Sequence, residues 1–94
     1  MSAESALLAA FAVQLGEVRT LGYHAVSWCS ATFSGARHFF HIETEEVADI
    51  GAFTRSIAEA EIAIPCGFVA DITVICQAGE NIRQINVEAL TINA

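Results

Sequence analysis

The stretch GFVADITVICQAGENIRQINVEALTI, residues 67–92, decides the fold because it has the pattern of a β-hairpin. Gly79 and Glu80 stand between two alternating segments, and glycine at the first position favours a two-residue type II′ turn. Since strand side chains alternate between the two faces of a sheet, this turn sets which residues share a face. The expected cross-strand pairs are Val74 with Ile85, Ile72 with Val87 and Ala70 with Ala89. The expected core face consists of Phe68, Ala70, Ile72, Val74, Ile85, Val87 and Ala89. The other face carries Asp71, Thr73, Gln77, Gln84, Asn86 and Glu88, interspersed with Val69, Ile75, Ile82 and Leu90.

A second hairpin is predicted upstream of this one. Residues 23–33 are rich in small, β-branched and aromatic side chains, and ARHFFHIETE (36–45) alternates. With Ser34-Gly35 as a two-residue loop, Trp28 lies opposite His41 and His24 opposite Glu45, while Cys29 falls on the core face. A loop one residue longer or shorter would move Trp28 and His24 to the opposite face and turn Cys29 towards His41, so the register stays open.

Two amphipathic helices are predicted from apolar residues at helical spacing. The first covers about residues 4–19, with Ser2 or Ser5 as its N-cap, and its stripe is Leu7, Leu8, Phe11, Leu15 and Val18. The second has Asp49 as its N-cap and Pro65 just past its end, and its stripe is Ile50, Phe53, Ile57, Ala60 and Ile64.

The element order is therefore α-β-β-α-β-β within a single α+β domain, residues 1–94. This order follows from the ferredoxin-like order β-α-β-β-α-β when its last helix and strand are moved to the front. We expect a four-stranded antiparallel sheet with two helices on one face, in ferredoxin-like or permuted ferredoxin-like topology. Strands 37–45 and 82–92 then lie side by side in the middle of the sheet.

The composition limits the partners and the compartment. Hydrophobic residues make up 54% of the 94 residues and charged residues 16%. So small a monomer cannot bury all of these apolar side chains, and the composition therefore predicts a homodimer or higher homo-oligomer. A net charge of -7 without a single lysine argues against binding to nucleic acid or to an anionic membrane. Three cysteines without a CxxC pair argue against a disulfide framework and a structural zinc site, and favour a cytoplasmic location. No apolar run is long enough to span a membrane. The sequence contains no glycine-rich phosphate loop, and no cofactor is predicted.

The HFFH motif at 38–41 resembles a metal site, but its geometry on a strand excludes a shared ion. His38 and His41 are three residues apart and point to opposite faces. On the predicted register His41 shares a face with His24, Glu43 and Glu45, yet the two histidines are about 13 Å apart along the ladder. Solvated or cross-strand-paired side chains are the favoured interpretation, and no metal site is predicted.

A polar stripe on the helix-free face of the two central strands is the candidate ligand-binding site. Its members are Phe39, His41, Glu43, Gln84, Asn86 and Glu88. Apolar neighbours are expected to border it, namely Val69, Ile75, Ile82 and, depending on the register, Trp28. Apolar walls around converging polar groups are typical of a small-molecule cavity, including one enclosed between the sheets of a dimer. A wet subunit interface and a solvated sheet face remain alternatives.

The segment HFFHIETEEVADIGAFTRSIAEAEIAI, residues 38–64, resembles the first strand, loop and helix of ACT-type regulatory domains. Asp49 and Gly51 match the family's loop, while the proline that often precedes the glycine is replaced by Ile50. The resemblance covers under a third of the chain. It implies that Asp49, Ile50, Gly51 and Ala52 form an effector-binding loop.

Three classes of function follow. The favoured one is a non-catalytic ligand-binding, regulatory or oligomerisation domain that uses the open sheet face. The alternative is a small dimeric α/β-barrel-type enzyme, such as an oxygenase or isomerase, with His41 as general base and Glu43 or His24 to orient it. The third is a purely structural domain whose role is sheet-mediated dimerisation. The missing nucleophile motif and cofactor loop favour the non-catalytic classes.

Overall fold

The computed structural model describes residues 2–44, 49–76 and 84–93, which form an α+β fold with two helices and a five-stranded antiparallel sheet. The elements are α1 Ala3–Leu15, β1 Val18–Cys29, β2 Ser34–Thr44, α2 Ile50–Ile57, β3 Ala63–Ile64, β4 Gly67–Cys76 and β5 Gln84–Asn93. The strand order is β1-β2-β5-β4-β3, so β2 and β5 are neighbours in the middle, as predicted. None of the helices described is long and apolar enough to cross a membrane.

One hydrophobic core joins both helices to one face of the sheet. The helices contribute Leu7, Phe11, Leu15, Phe53 and Ile57, and the sheet contributes Phe40, Ile42, Ile72, Ile85, Val87 and Ala89. Phe11 is at its centre, with its ring edge-on to Phe40 at 5.2 Å and to Phe53 at 5.9 Å between centroids. Burial of alternate residues along β5 follows the predicted core face.

Helix α1 begins as predicted and ends early. The Ser2 hydroxyl accepts a hydrogen bond from the backbone N–H of Ser5 at 3.1 Å, so Ser2 is the N-cap. The helix stops at Leu15 because Gly16 adopts a positive φ of 81°, which turns the chain out of the helix. The predicted extension to residue 19 is wrong, since Val18 begins β1 while still packing against the core.

Helix α2 is also shorter than predicted. The Asp49 carboxylate caps it by accepting a hydrogen bond from the N–H of Ala52 at 2.9 Å. The helix ends at Ile57 in a tighter turn, where the N–H groups of Glu59 and Ala60 donate to the carbonyls three residues earlier, so it does not reach Ile64.

The short strand β3 makes the sheet five-stranded instead of four-stranded. Ala63 and Ile64 pair with β4, and the two-residue turn Pro65-Cys66 connects them. Proline supplies the negative φ of the first turn position, and Cys66 takes the left-handed conformation at φ 58°.

The first hairpin has a different register from the predicted one. Its loop is residues 30–33, where the Ser30 hydroxyl accepts a hydrogen bond from the N–H of Phe33 at 3.0 Å. The observed pairs are Trp28 with Gly35, His24 with Phe39 and Gly22 with His41. The predicted pairings of Trp28 with His41 and of His24 with Glu45 are therefore wrong. The register differs from the predicted one by an even number of residues, so both side chains stay on the predicted face.

The cysteine of the first hairpin is exposed, contrary to the prediction that it lies in the core. Cys29 pairs with Ser34 at the tip of the hairpin, so it does not face His41 as it would in the alternative register. On β2 the buried side chains of the helix-covered face begin at His38, and the tip of the hairpin extends beyond them.

A β-bulge at Ala70 changes the faces of the second hairpin. After the bulge in the chain, Ile72 pairs with Ala89 and Val74 with Val87. This register differs by two residues from the predicted one and keeps both side chains on the predicted face. Before the bulge the faces are exchanged, so Val69 packs against the core and Phe68 is 50% exposed. The predicted core positions of Phe68 and Ala70 are wrong for this reason. The predicted turn Gly79-Glu80, with Gln77 and Ile82, lies outside the described residues.

Candidate functional site

A pocket of about 390 Å³ lies on the helix-free face of the sheet. Four of the six predicted stripe residues line it, namely Phe39, His41, Asn86 and Glu88. Glu43 and Gln84 lie on the same face outside the pocket. Ile75, a predicted apolar border residue, also lines it. The remaining lining residues are Gly22, Tyr23, His24, Phe40 and Val87.

The strand registers arrange these side chains in two rows across the sheet. The first, the His41 row, runs through Gly22, His41, Asn86 and Ile75. The second, the Phe39 row, runs through His24, Phe39 and Glu88. The rows are two residues apart along β2, which corresponds to about 7 Å.

A stacked pair of rings forms one wall of the pocket. His24 and Phe39 are cross-strand partners whose ring centroids are 4.6 Å apart at an interplanar angle of 14°. The sequence places both on the open face but not opposite each other, because the predicted loop Ser34-Gly35 follows the observed loop at residues 30–33 in the chain. The four-residue loop closed by Ser30 is the signal that would have paired them.

The His41 ring is oriented by an amide. Its Nε2 lies 3.2 Å from Oε1 of Gln84, which can only accept, so Nε2 carries the proton and Nδ1 of the neutral ring is an acceptor. In the part of the chain that the structure describes, no carboxylate is bonded to this ring.

Glu88 carries the charge at the pocket and is paired at its outer side. Its Oε1 accepts from Nη1 of Arg37 at 2.8 Å. The Arg37 side chain is 53% exposed, so the ion pair contributes little to stability. Arg37 itself is not part of the lining, and no arginine lines the described pocket.

Asn86 is the central polar residue of the pocket floor. It lies between His41 and Ile75 in the His41 row and is half-buried. Within residues 2–44, 49–76 and 84–93 its amide has no hydrogen-bond partner. It therefore offers both a donor and an acceptor to a bound molecule.

Trp28 does not border the pocket. It lies on the same face opposite Gly35, further along the hairpin, with its indole Nε1 buried and without a hydrogen bond among the described residues. An added Cβ at Gly35 would lie 1.9 Å from the carbonyl oxygen of Thr91, so the close approach of β2 to β5 at this point requires glycine.

The helix-covered face holds a separate chain of hydrogen bonds. His38 is 5% exposed, and its Nε2 donates to the Thr91 hydroxyl at 3.0 Å, which in turn donates to the carbonyl of Ala36. Its Nδ1 accepts from the Tyr23 hydroxyl at 2.8 Å. Burial lowers the pKa of His38 and outweighs the opposing effect of Glu4. Burial, with a contribution from Glu4, raises the pKa of Tyr23. His38 is thus a neutral core residue.

The metal constellation considered in the sequence does not form in the described chain. His24 and His41 stand in different rows, and Glu45 lies outside the described residues. Among the residues described, no group of three histidine, cysteine, aspartate or glutamate side chains could hold a metal ion.

Comparison with protein-family models, curated proteins and solved structures finds no match. The resemblance of residues 38–64 to ACT-type domains is therefore not accompanied by a family match. In that segment the Asp49 carboxylate is engaged in capping α2, through its bond to Ala52.

Proposed function

We propose that this protein is a non-catalytic module that binds a small molecule in the pocket on the open sheet face. The observation that carries the proposal is the convergence of His41, Asn86 and Glu88 between the apolar side chains of Phe39 and Ile75. The volume of the pocket, about 390 Å³, falls within the range of small-ligand sites. A few polar groups that fix orientation within a mainly apolar cavity are typical of such sites.

The enzymatic alternative, with His41 as general base and Glu43 orienting it, has less support. Gln84 occupies Nε2 of His41, and Glu43 lies outside the pocket. A general base is most effective when its pKa is tuned by a charged or desolvated environment. The hydrogen bond to an uncharged amide favours a binding role for His41.

We propose a permuted ferredoxin-like arrangement for the chain. Its support is the order of the four strands of ten or more residues, β1-β2-β5-β4, in which two hairpins lie side by side. Both helices contribute to one core on the same face of these strands, which is also expected of that arrangement.

We further propose that a second copy of the chain covers the open face. Val26, Phe68 and Ile75 are each about half exposed there. Ile75 lines the pocket, and Val26 and Phe68 lie further along the same face, so a homodimer formed through this face would bury them and enclose the ligand.

Gly22 provides the sharpest test of the binding site. An added Cβ at this position meets one atom, Cβ of His41 at 3.9 Å, which is an ordinary contact. The variant Gly22→Leu should therefore keep the fold and fill the pocket. Ala25→Leu is the matched control, because Ala25 is exposed on the opposite face of the same strand.

Small molecules would be titrated into isotope-labelled protein and followed by amide NMR shifts. We expect a subset to shift the residues of both rows in the wild type and in Ala25→Leu, and to lose this effect in Gly22→Leu. Binding that is equal in all three proteins would place the ligand elsewhere and contradict the proposal.

A further inference from the structure

We propose, building on the proposed function, that the pocket binds a flat nitrogen heteroaromatic molecule of the aminopyrimidine type. The molecule is uncharged or carries one positive charge, and it donates two or more hydrogen bonds from one edge. Three features of the pocket lead to this class: the spacing of its rows, its hydrogen-bonding groups and its charge.

The spacing of the two rows selects a flat molecule. His41 and Phe39 are alternate residues of β2, so the two rows stand about 7 Å apart on the sheet. A ring in van der Waals contact on both sides needs about 7–8 Å between the walls, since carbon atoms in contact are about 3.5–4.0 Å apart. A single aromatic layer fills this gap, and a globular aliphatic group does not. The stacked His24–Phe39 pair borders this gap with its ring edges, which can contact the face of an aromatic ligand in an edge-to-face arrangement.

The hydrogen-bonding groups of the pocket are mainly acceptors. The Nε2–H group of His41 donates a hydrogen bond to Oε1 of Gln84, which leaves Nδ1 as the acceptor of the ring. Glu88 uses one carboxylate oxygen for Arg37, and its other oxygen has no partner among the described residues. Asn86 adds an amide oxygen as well as its two donors. A ligand whose edge carries N–H groups satisfies these acceptors, and a ligand with acceptors alone leaves most of them unpaired.

The charge of the pocket excludes an anionic ligand. Glu88 is its charged lining residue, and Arg37, the cation beside it among the described residues, is already bonded to that carboxylate. The chain as a whole carries a net charge of -7. A carboxylate or phosphate in the pocket would be desolvated beside Glu88 with no unpaired arginine among the described lining residues, whereas an N–H donor gains a charge-assisted hydrogen bond.

Three probes of similar size separate these features. 2-Aminobenzimidazole is flat and rich in N–H donors, 2-naphthoate is flat and anionic, and 1-adamantanamine is cationic and globular. Their dissociation constants would be measured by amide NMR titration against the wild type, Gly22→Leu and Glu88→Gln. Glu43→Gln serves as the matched control for the charge, because Glu43 is on the same face outside the pocket.

We expect 2-aminobenzimidazole to bind at least about tenfold more tightly than the other two probes. 2-Naphthoate lacks the charge-assisted hydrogen bond to Glu88, and 1-adamantanamine is too thick to fit between the two rows. Its binding should be lost in Gly22→Leu, weakened by about tenfold or more in Glu88→Gln, and unchanged in Glu43→Gln. If 2-naphthoate or 1-adamantanamine binds as tightly as 2-aminobenzimidazole and loses its binding in Gly22→Leu, the proposed ligand class is wrong while the proposed function stands. If Gly22→Leu affects no probe, both are wrong.

Discussion

Replacing Tyr23 with phenylalanine tests the hydrogen-bond chain beneath the sheet. The substitution removes the hydroxyl that donates to Nδ1 of His38, and the remaining ring can still pack on Phe40, 4.9 Å away between centroids. Because His38 is 5% exposed, water has little access to replace the lost donor. A buried acceptor without a partner costs about 1–3 kcal/mol. Against a total of about 5–14 kcal/mol for a chain of this length, the loss is readily measured.

The measurement is urea unfolding at about pH 8, where histidine is neutral. We expect the midpoint to fall at an unchanged slope with urea concentration, since the extent of folded surface does not change. Thr73→Val, at an exposed threonine of β4, is a control that should change stability by less than about 0.5 kcal/mol. A Tyr23→Phe protein as stable as the wild type would show that the bond to His38 contributes nothing, and would refute the reasoning.

Three further predictions concern pH, packing and assembly. Stability should fall as the pH drops from about 6.5 towards the lower folded-state pKa of His38, because the unfolded chain takes up the proton first. An NMR titration in which His38 titrates at or above 6.5 would show that burial does not outweigh the effect of Glu4 and would contradict this. Gly35→Ala should lower the free energy of unfolding by about 1–3 kcal/mol or more, because its Cβ would overlap the carbonyl of Thr91. Gly22→Ala should not destabilise the protein, and equal thermal midpoints of the two variants would contradict the prediction. If a homodimer forms through the open face, Ile75→Glu should yield monomers in sedimentation analysis, and an unchanged mass would argue against that interface.

The faces of the two central strands could be predicted from the sequence because alternation is a local property. The register errors in both hairpins were even in number, so His41, Asn86 and Ile75 remained on the predicted face although their partners changed. The pocket therefore contains most of the predicted stripe. Its composition depended on alternation alone and not on the details of either turn.

The departures from the prediction arise where non-local geometry decides. The bulge at Ala70 exchanges the faces of β4, and the apolar pattern that surrounds it gives no sign of the extra residue. The loop at 30–33 is closed by the side chain of Ser30, which competes with the more familiar turn signal Ser34-Gly35. The partners of His38 depend on both strand pairings at once, so its position on the core face was predictable and its hydrogen bonds were not.

The position of the pocket on β2 and β5 has a consequence for binding kinetics. Each of these strands is hydrogen-bonded on both sides, so the amides of the pocket floor are expected to be among the slowest in the protein to exchange with solvent. A molecule can enter the pocket through side-chain rotation, without opening of the backbone. Its affinity is therefore not reduced by the need for a rare backbone conformation that is competent to bind. Differences in affinity among related ligands should accordingly appear in the dissociation rate, and single side-chain replacements along the two rows can adjust that rate while the sheet stays intact.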